Sequence, residues 1–129
     1  MTANLPELLH GSLNSQLLVY KQIHALQSDL LRDLDSNNEL DKIMNLLEKK
    51  NSLLDSISAE NSRSAPFVDE WISRKSEMQN SPLFADIERI ISEIESLVSE
   101  LRAQDEAMLQ RFDQQSQSKN RIDAFRALR

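Results

Sequence analysis

Cysteine is absent from these 129 residues, glycine occurs once and proline three times. Without cysteine there are no disulfide staples and no thiolate metal ligands, a composition that suits a reducing compartment. A single glycine cannot supply a Gly-rich phosphate loop and leaves little material for tight hairpins. Aromatic side chains make up 5 %, with one Trp and one Tyr, and β-branched residues are sparse, so strands lack their usual filling. No stretch approaches about 18 consecutive apolar residues, so no membrane span is expected. The opening MTANLPELLHGSL has neither a basic start nor a continuous apolar segment, so no signal peptide is expected either. The 15 basic side chains are outnumbered by 21 acidic ones, a net charge of −6, whereas a nucleic-acid surface needs a concentrated basic patch. The expected location is the cytoplasm.

What remains is dominated by Leu, Ser, Glu, Asp, Gln and Ala, a balance that favours long helices. The expected fold is all-α, an antiparallel helical bundle or coiled coil of three long helices plus one short helix, in a single domain over 1–129. Asn4 followed by Pro6 and Glu7 reads as a helix start with a capping box, opening a first helix over about 5–35. Its apolar residues, from Leu5 and Leu9 through Leu17, Ile23 and Leu30 to Leu34, cover about half the circumference at 100° per residue. That face is wider than a two-stranded coiled-coil seam and suits a helix with two neighbours. Gly11 sits inside it at a cost of about 1 kcal/mol relative to Ala.

Asp35-Ser36-Asn37-Asn38 interrupts the pattern, and Ser36 with Glu39 forms a second capping box opening a helix over about 38–61. So short a turn makes the first two helices antiparallel neighbours. Ser62-Arg63-Ser64-Ala65-Pro66 reads as another break, with Pro66 opening a short helix over about 66–79 that carries Phe67, Val68, Trp71, Ile72 and Met78. Asn80-Ser81-Pro82 then ends that helix and caps a last one, over 82–112 or beyond, whose ladder from Leu83 through Ile87, Ile90 and Ile94 to Leu101 thins to Met108 and Phe112. Residues 113–121, DQQSQSKNR, contain nothing apolar, so 113–129 is expected to be a polar, solvated or mobile tail ending in an apolar edge of Ile122, Phe125 and Leu128. The charge also reverses along this helix. Residues 83–106 carry seven acids against two Arg, and 107–129 carry five basic side chains against two acids.

Catalytic and metal chemistry find little support. His10 and His24 stand 14 residues apart with no carboxylate at a familiar ligand spacing, and His24 reads as a partly buried histidine making one hydrogen bond. Glu88, Glu93, Glu95 and Glu100 lack the Glu-x-x-His pairs of helical-bundle metal sites and read as a solvated acidic face. No Ser, His and acid motif stands out. No enzyme activity, metal or cofactor is therefore expected. Gln16, Gln27 and Asn51 fall on apolar faces, where they either fix register or line a groove for a partner. Trp71 with Phe67 and Met78 reads first as a plug at one end of the bundle, and second as an interface anchor.

The run from Leu17 to Ile57, LLVYKQIHALQSDLLRDLDSNNELDKIMNLLEKKNSLLDSI, resembles the FlgN family of flagellar export chaperones and, more distantly, the FliT chaperones. The matching positions are Tyr20, the turn at Asp35 to Asn38, and Leu46, Leu47, Glu48, Lys50, Leu53 and Leu54 of the second helix. The resemblance, over about residues 5–60, implies a small acidic cytoplasmic chaperone. Such a protein would hold the C-terminal helices of hook-associated proteins and deliver them to an export-gate component.

On this reading the partner-binding residues are Met108, Phe112, Ile122, Phe125 and Leu128, because the last helix continues past the point where the first two can cover it. The first helix spans at most about 48 Å and the last, if continuous to the end, about 70 Å. The alternative is a structural coiled-coil homodimer, or a helical adaptor with no role in secretion.

Overall fold

The computed structural model describes residues 4–35 and 40–127, with side chains described as far as Asp113. Three long helices account for nearly all of them: α1 (Leu5–Asp35), α2 (Leu40–Arg74) and α3 (Phe84–Ala127), with a short 3-10 turn, Lys75–Met78, closing α2. No strand occurs among the described residues, and the all-α fold is what the composition requires. Asn4 supplies the carbonyl that accepts from the Leu8 N–H (2.9 Å), the first bond of α1. The Ser81 hydroxyl accepts from the Leu83 N–H (3.3 Å) ahead of α3, satisfying one of the donors that a helix start leaves open. The Ser36–Glu39 capping box lies outside the described residues.

The break expected at 62–66 is not there. The helix passes through Pro66, so the expected helices over 38–61 and 66–79 are one helix followed by a 3-10 turn. A proline inside a helix removes one hydrogen bond and costs about 3 kcal/mol. Two things offset that cost here. Pro66 and Ser62, whose carbonyl loses its partner, are both solvent-exposed, so water can satisfy the freed group. On either side of Pro66, tertiary contacts hold the backbone in place. The buried Ser64 hydroxyl accepts a hydrogen bond from the Gln16 side chain, and Val68 and Trp71 pack into the core.

α1 lies between the other two helices. Its backbone packs closely on both α2 and α3, whereas the backbones of α2 and α3 scarcely approach one another. The wide apolar face read from the sequence is thus divided between two neighbours. Three clusters follow one another along it: Leu9, Leu13 and Leu17 with Trp71, Ile87 and Ile90; Ile23 with Ile57 and Leu101; and Leu30 and Leu34 with Ile43 and Met108. Residue numbers rise together in α1 and α3 through these clusters and fall in α2, so the chain runs up, down and up.

The α1–α3 seam keeps one register. His10 meets Asp86 (2.5 Å), His24 meets Glu100 (2.9 Å), the Gln104 amide donates to the Ser28 hydroxyl (3.0 Å) and Arg111 donates to Asp35 (2.5 Å). In each case the two residue numbers differ by 76. The buried Gln27 adds a bond from its amide to the Gln104 side-chain oxygen (2.8 Å). Gln16 and Gln27 therefore satisfy their polar groups across helix contacts, as burial demands, while Asn51 is exposed.

Gly11 is exposed, and a Cβ added there would meet nothing within 4 Å. Gly11→Ala should stabilise the protein by about 0.5–1 kcal/mol, through helix propensity and a smaller unfolded-state entropy. The check is the urea unfolding midpoint, which should rise; a fall would mean that α1 is not helical through its first turns.

Candidate interaction surfaces

Because α2 and α3 stand apart above α1, a groove opens between them. Its floor is Leu9, Leu13 and Gln16 of α1, one wall is Val68, Trp71, Ile72 and Lys75 of α2 and its end, and the other runs from Glu88 through Ile91, Ser92 and Ile94 to Glu95 of α3. The volume is about 530 Å³ and the lining is mostly apolar. Ile72, on the wall, is 69 % exposed and adds apolar surface to it.

Trp71 is the fixed point of this wall. It is 2 % exposed, its ring centre lies 5.4 Å from that of Phe84, and its indole N–H donates to Glu88 Oε1 (3.3 Å). Such a pairing satisfies the one polar atom of a buried Trp. Lys75 also bonds Glu88 (3.0 Å), joining the two walls at the rim. Trp71 therefore acts as a core plug, and one edge of that plug borders the groove. Towards the other end of the bundle a shallower depression is lined by Leu47, Lys50, Asp105, Met108, Leu109 and Phe112, with Lys50 paired to Asp105 across it (2.9 Å).

The residues expected to bind a partner fall into two groups. Met108 is 3 % exposed, buried with Leu30, Leu34 and Ile43, and Phe112 is half-buried against the same cluster. Both serve the interior of the bundle, and Leu109 between them, 68 % exposed, presents the apolar surface there. The backbone at Ile122 and Phe125 belongs to α3, which continues as helix to Ala127; their side chains, and all of Leu128, lie outside the described residues. The sequence reading counts Ile72 only among the apolar residues of its short helix and leaves Leu109 out. Each directly follows a buried residue, Trp71 or Met108, and so turns 100° away from the core, a signal available from helical spacing alone.

Among the described residues no group of three or more His, Asp or Glu is arranged to hold a metal ion, and no helix is long and apolar enough to cross a membrane. The charged groups make ties both within helices and between them. The Asp86 carboxyl, bonded by His10 and then Arg89, and the Asp35 carboxyl, gripped by the Arg111 guanidinium, are both held below the usual carboxylate range. No family model, no curated protein and no solved structure matches the chain.

A carboxyl whose folded-state pKa is depressed contributes stability that is fully present above its unfolded value. That contribution disappears as pH falls through the lower folded value. Asp35→Asn should therefore be less stable than the parent at neutral pH and should converge with it as pH falls from about 5 to below 3. Urea midpoints measured across that range give the answer; parallel curves would mean that the Arg111 tie does not shift Asp35.

Proposed function

We propose that this chain is a non-catalytic cytoplasmic binding protein of the export-chaperone kind, which holds helical segments of secreted flagellar subunits before export. The carrying observation is the length of α3. The Arg111 tie meets Asp35, the last residue of α1, yet α3 continues for 16 further residues to Ala127, about 24 Å of helix. Ile122 and Phe125 lie in that stretch and Leu128 just beyond it, a set of apolar residues spaced at threes of the sort that docks on another helix. The resemblance of residues 5–60 to FlgN-type chaperones supplies the client class, namely the C-terminal helices of hook-associated proteins.

In this reading Ile122, Phe125 and Leu128 make first contact. Met108 and Phe112 extend the surface only where a client displaces their packing against Leu30 and Ile43. An acidic body with a basic end also suits the task, since charge complementarity raises association rate and selectivity more than affinity.

Removing residues 114–129 tests this directly. The truncated chain should keep its helical circular dichroism and cooperative melting while losing capture of hook-associated proteins from a lysate of the source organism. Capture by the truncated chain equal to that by the full chain would reject the assignment of the binding surface. Recovery of no secretion substrate by either chain would reject the chaperone reading.

A further inference from the structure

The groove between α2 and α3 is lined mostly by apolar side chains, with Gln16 in its floor and Lys75 on the α2 side, and carries Glu88 and Glu95 along its α3 rim. Glu88 on that rim is already bonded by Trp71 and Lys75, whereas Glu95 forms no ion pair among the described residues. The surrounding segment, 83–106, carries seven acids against two Arg. Something apolar with a basic flank would fill this groove, and the chain contains one such segment. Residues 114–129 carry Lys119, Arg121, Arg126 and Arg129 against Asp123 alone, together with the Ile122, Phe125 and Leu128 edge.

We propose that the groove is a docking site for residues 114–129 of a second copy of this chain. Size and charge agree with this occupant. The edge from Ile122 to Leu128 spans six residues, about 9 Å of helix, and the α3 wall from Glu88 to Glu95 spans seven, about 10 Å. On a helical wheel Lys119 and Arg126 fall beside Ile122, on the side of the apolar edge away from Leu128, so a helix lying in the groove turns them together towards one rim. Continuity of α3 excludes the same molecule's own segment. Ile122 lies 27 residues beyond Glu95 on one helix, about 40 Å away along its axis, and cannot return to the groove while α3 is intact. The contact joins two different surfaces. It closes when two copies exchange their ends and otherwise propagates as a chain. No client is involved, so the inference stands or falls separately from the chaperone reading.

Trp71, the one tryptophan, borders the groove and reports on it. Sedimentation and light scattering of the purified full chain over a concentration series should show self-association, with a change in Trp71 emission over the same range. Ile72→Asp, at an exposed wall position, and Glu95→Arg, at the rim, should each weaken association by about tenfold or more while keeping the helical spectrum. Combining Glu95→Arg with Arg126→Glu should restore it, because the reversed charges again match. Excess synthetic peptide of residues 114–129 should dissociate the assembly. A chain that stays monomeric throughout overturns the proposal, as does an assembly indifferent to Ile72→Asp, Glu95→Arg and the peptide.

Discussion

The parallel seam between α1 and α3 is the contact on which the other features depend. Four polar ties hold it, at His10 and Asp86, His24 and Glu100, Ser28 and Gln104, and Asp35 and Arg111, and all four share an offset of 76 residues. Two intervals between the α1 members, 14 residues from His10 to His24 and seven from Ser28 to Asp35, are whole heptads, the spacing that keeps two helices facing along a common seam. Individually, exposed ties of this kind contribute little. Their common offset matters more, because sliding α3 by one turn would break all four and would also move Ile87, Leu101 and Met108 off their clusters.

With α3 fixed in this way, α1 offers the rest of its apolar face to α2, and Gln16 bonding Ser64 and Trp71 entering the first cluster hold α2 through its proline. The spine is shared, and its two flanks are left apart. That spacing leaves a groove that side chains of α2 and its end bridge at Glu88, and α3 runs on past the end of the spine. On the proposals above the groove would receive and the end of α3 would project, and their charges are opposite. A protein that holds helices for others and one that joins its own copies can use the same two surfaces, with occupancy decided by which helix is present.

Much of this was legible in the sequence, for identifiable reasons. The width of the apolar face from Leu5 to Leu34 required two neighbours for α1, and the sparse glycine and β-branched residues excluded strands. The break at Pro66 was misread because local propensity treats every internal proline alike. It cannot register that Ser62 and Pro66 face solvent while Ser64 and Trp71, on either side, are anchored. Helix lengths alone place Met108 past the cover of the first two helices, whereas in the fold Leu30, Leu34 and Ile43 close over it from both of them. Polar glutamines on apolar faces signalled cross-helix bonds, but the partners Ser64 and Gln104 emerge only once the register is known. The groove was legible only in the alternative readings of Gln16 as groove lining and Trp71 as an anchor, since its width depends on the distance between α2 and α3, a quantity that no single helix encodes.

The register of the seam is the central claim, and a cysteine-free chain makes it directly measurable. Ser28→Cys combined with Gln104→Cys, treated with a short thiol-to-thiol cross-linker, should join efficiently within one molecule. The same Ser28→Cys paired with Leu97→Cys or Arg111→Cys, one heptad away in either direction, should join poorly. Equal or better cross-linking at a shifted position would contradict the account.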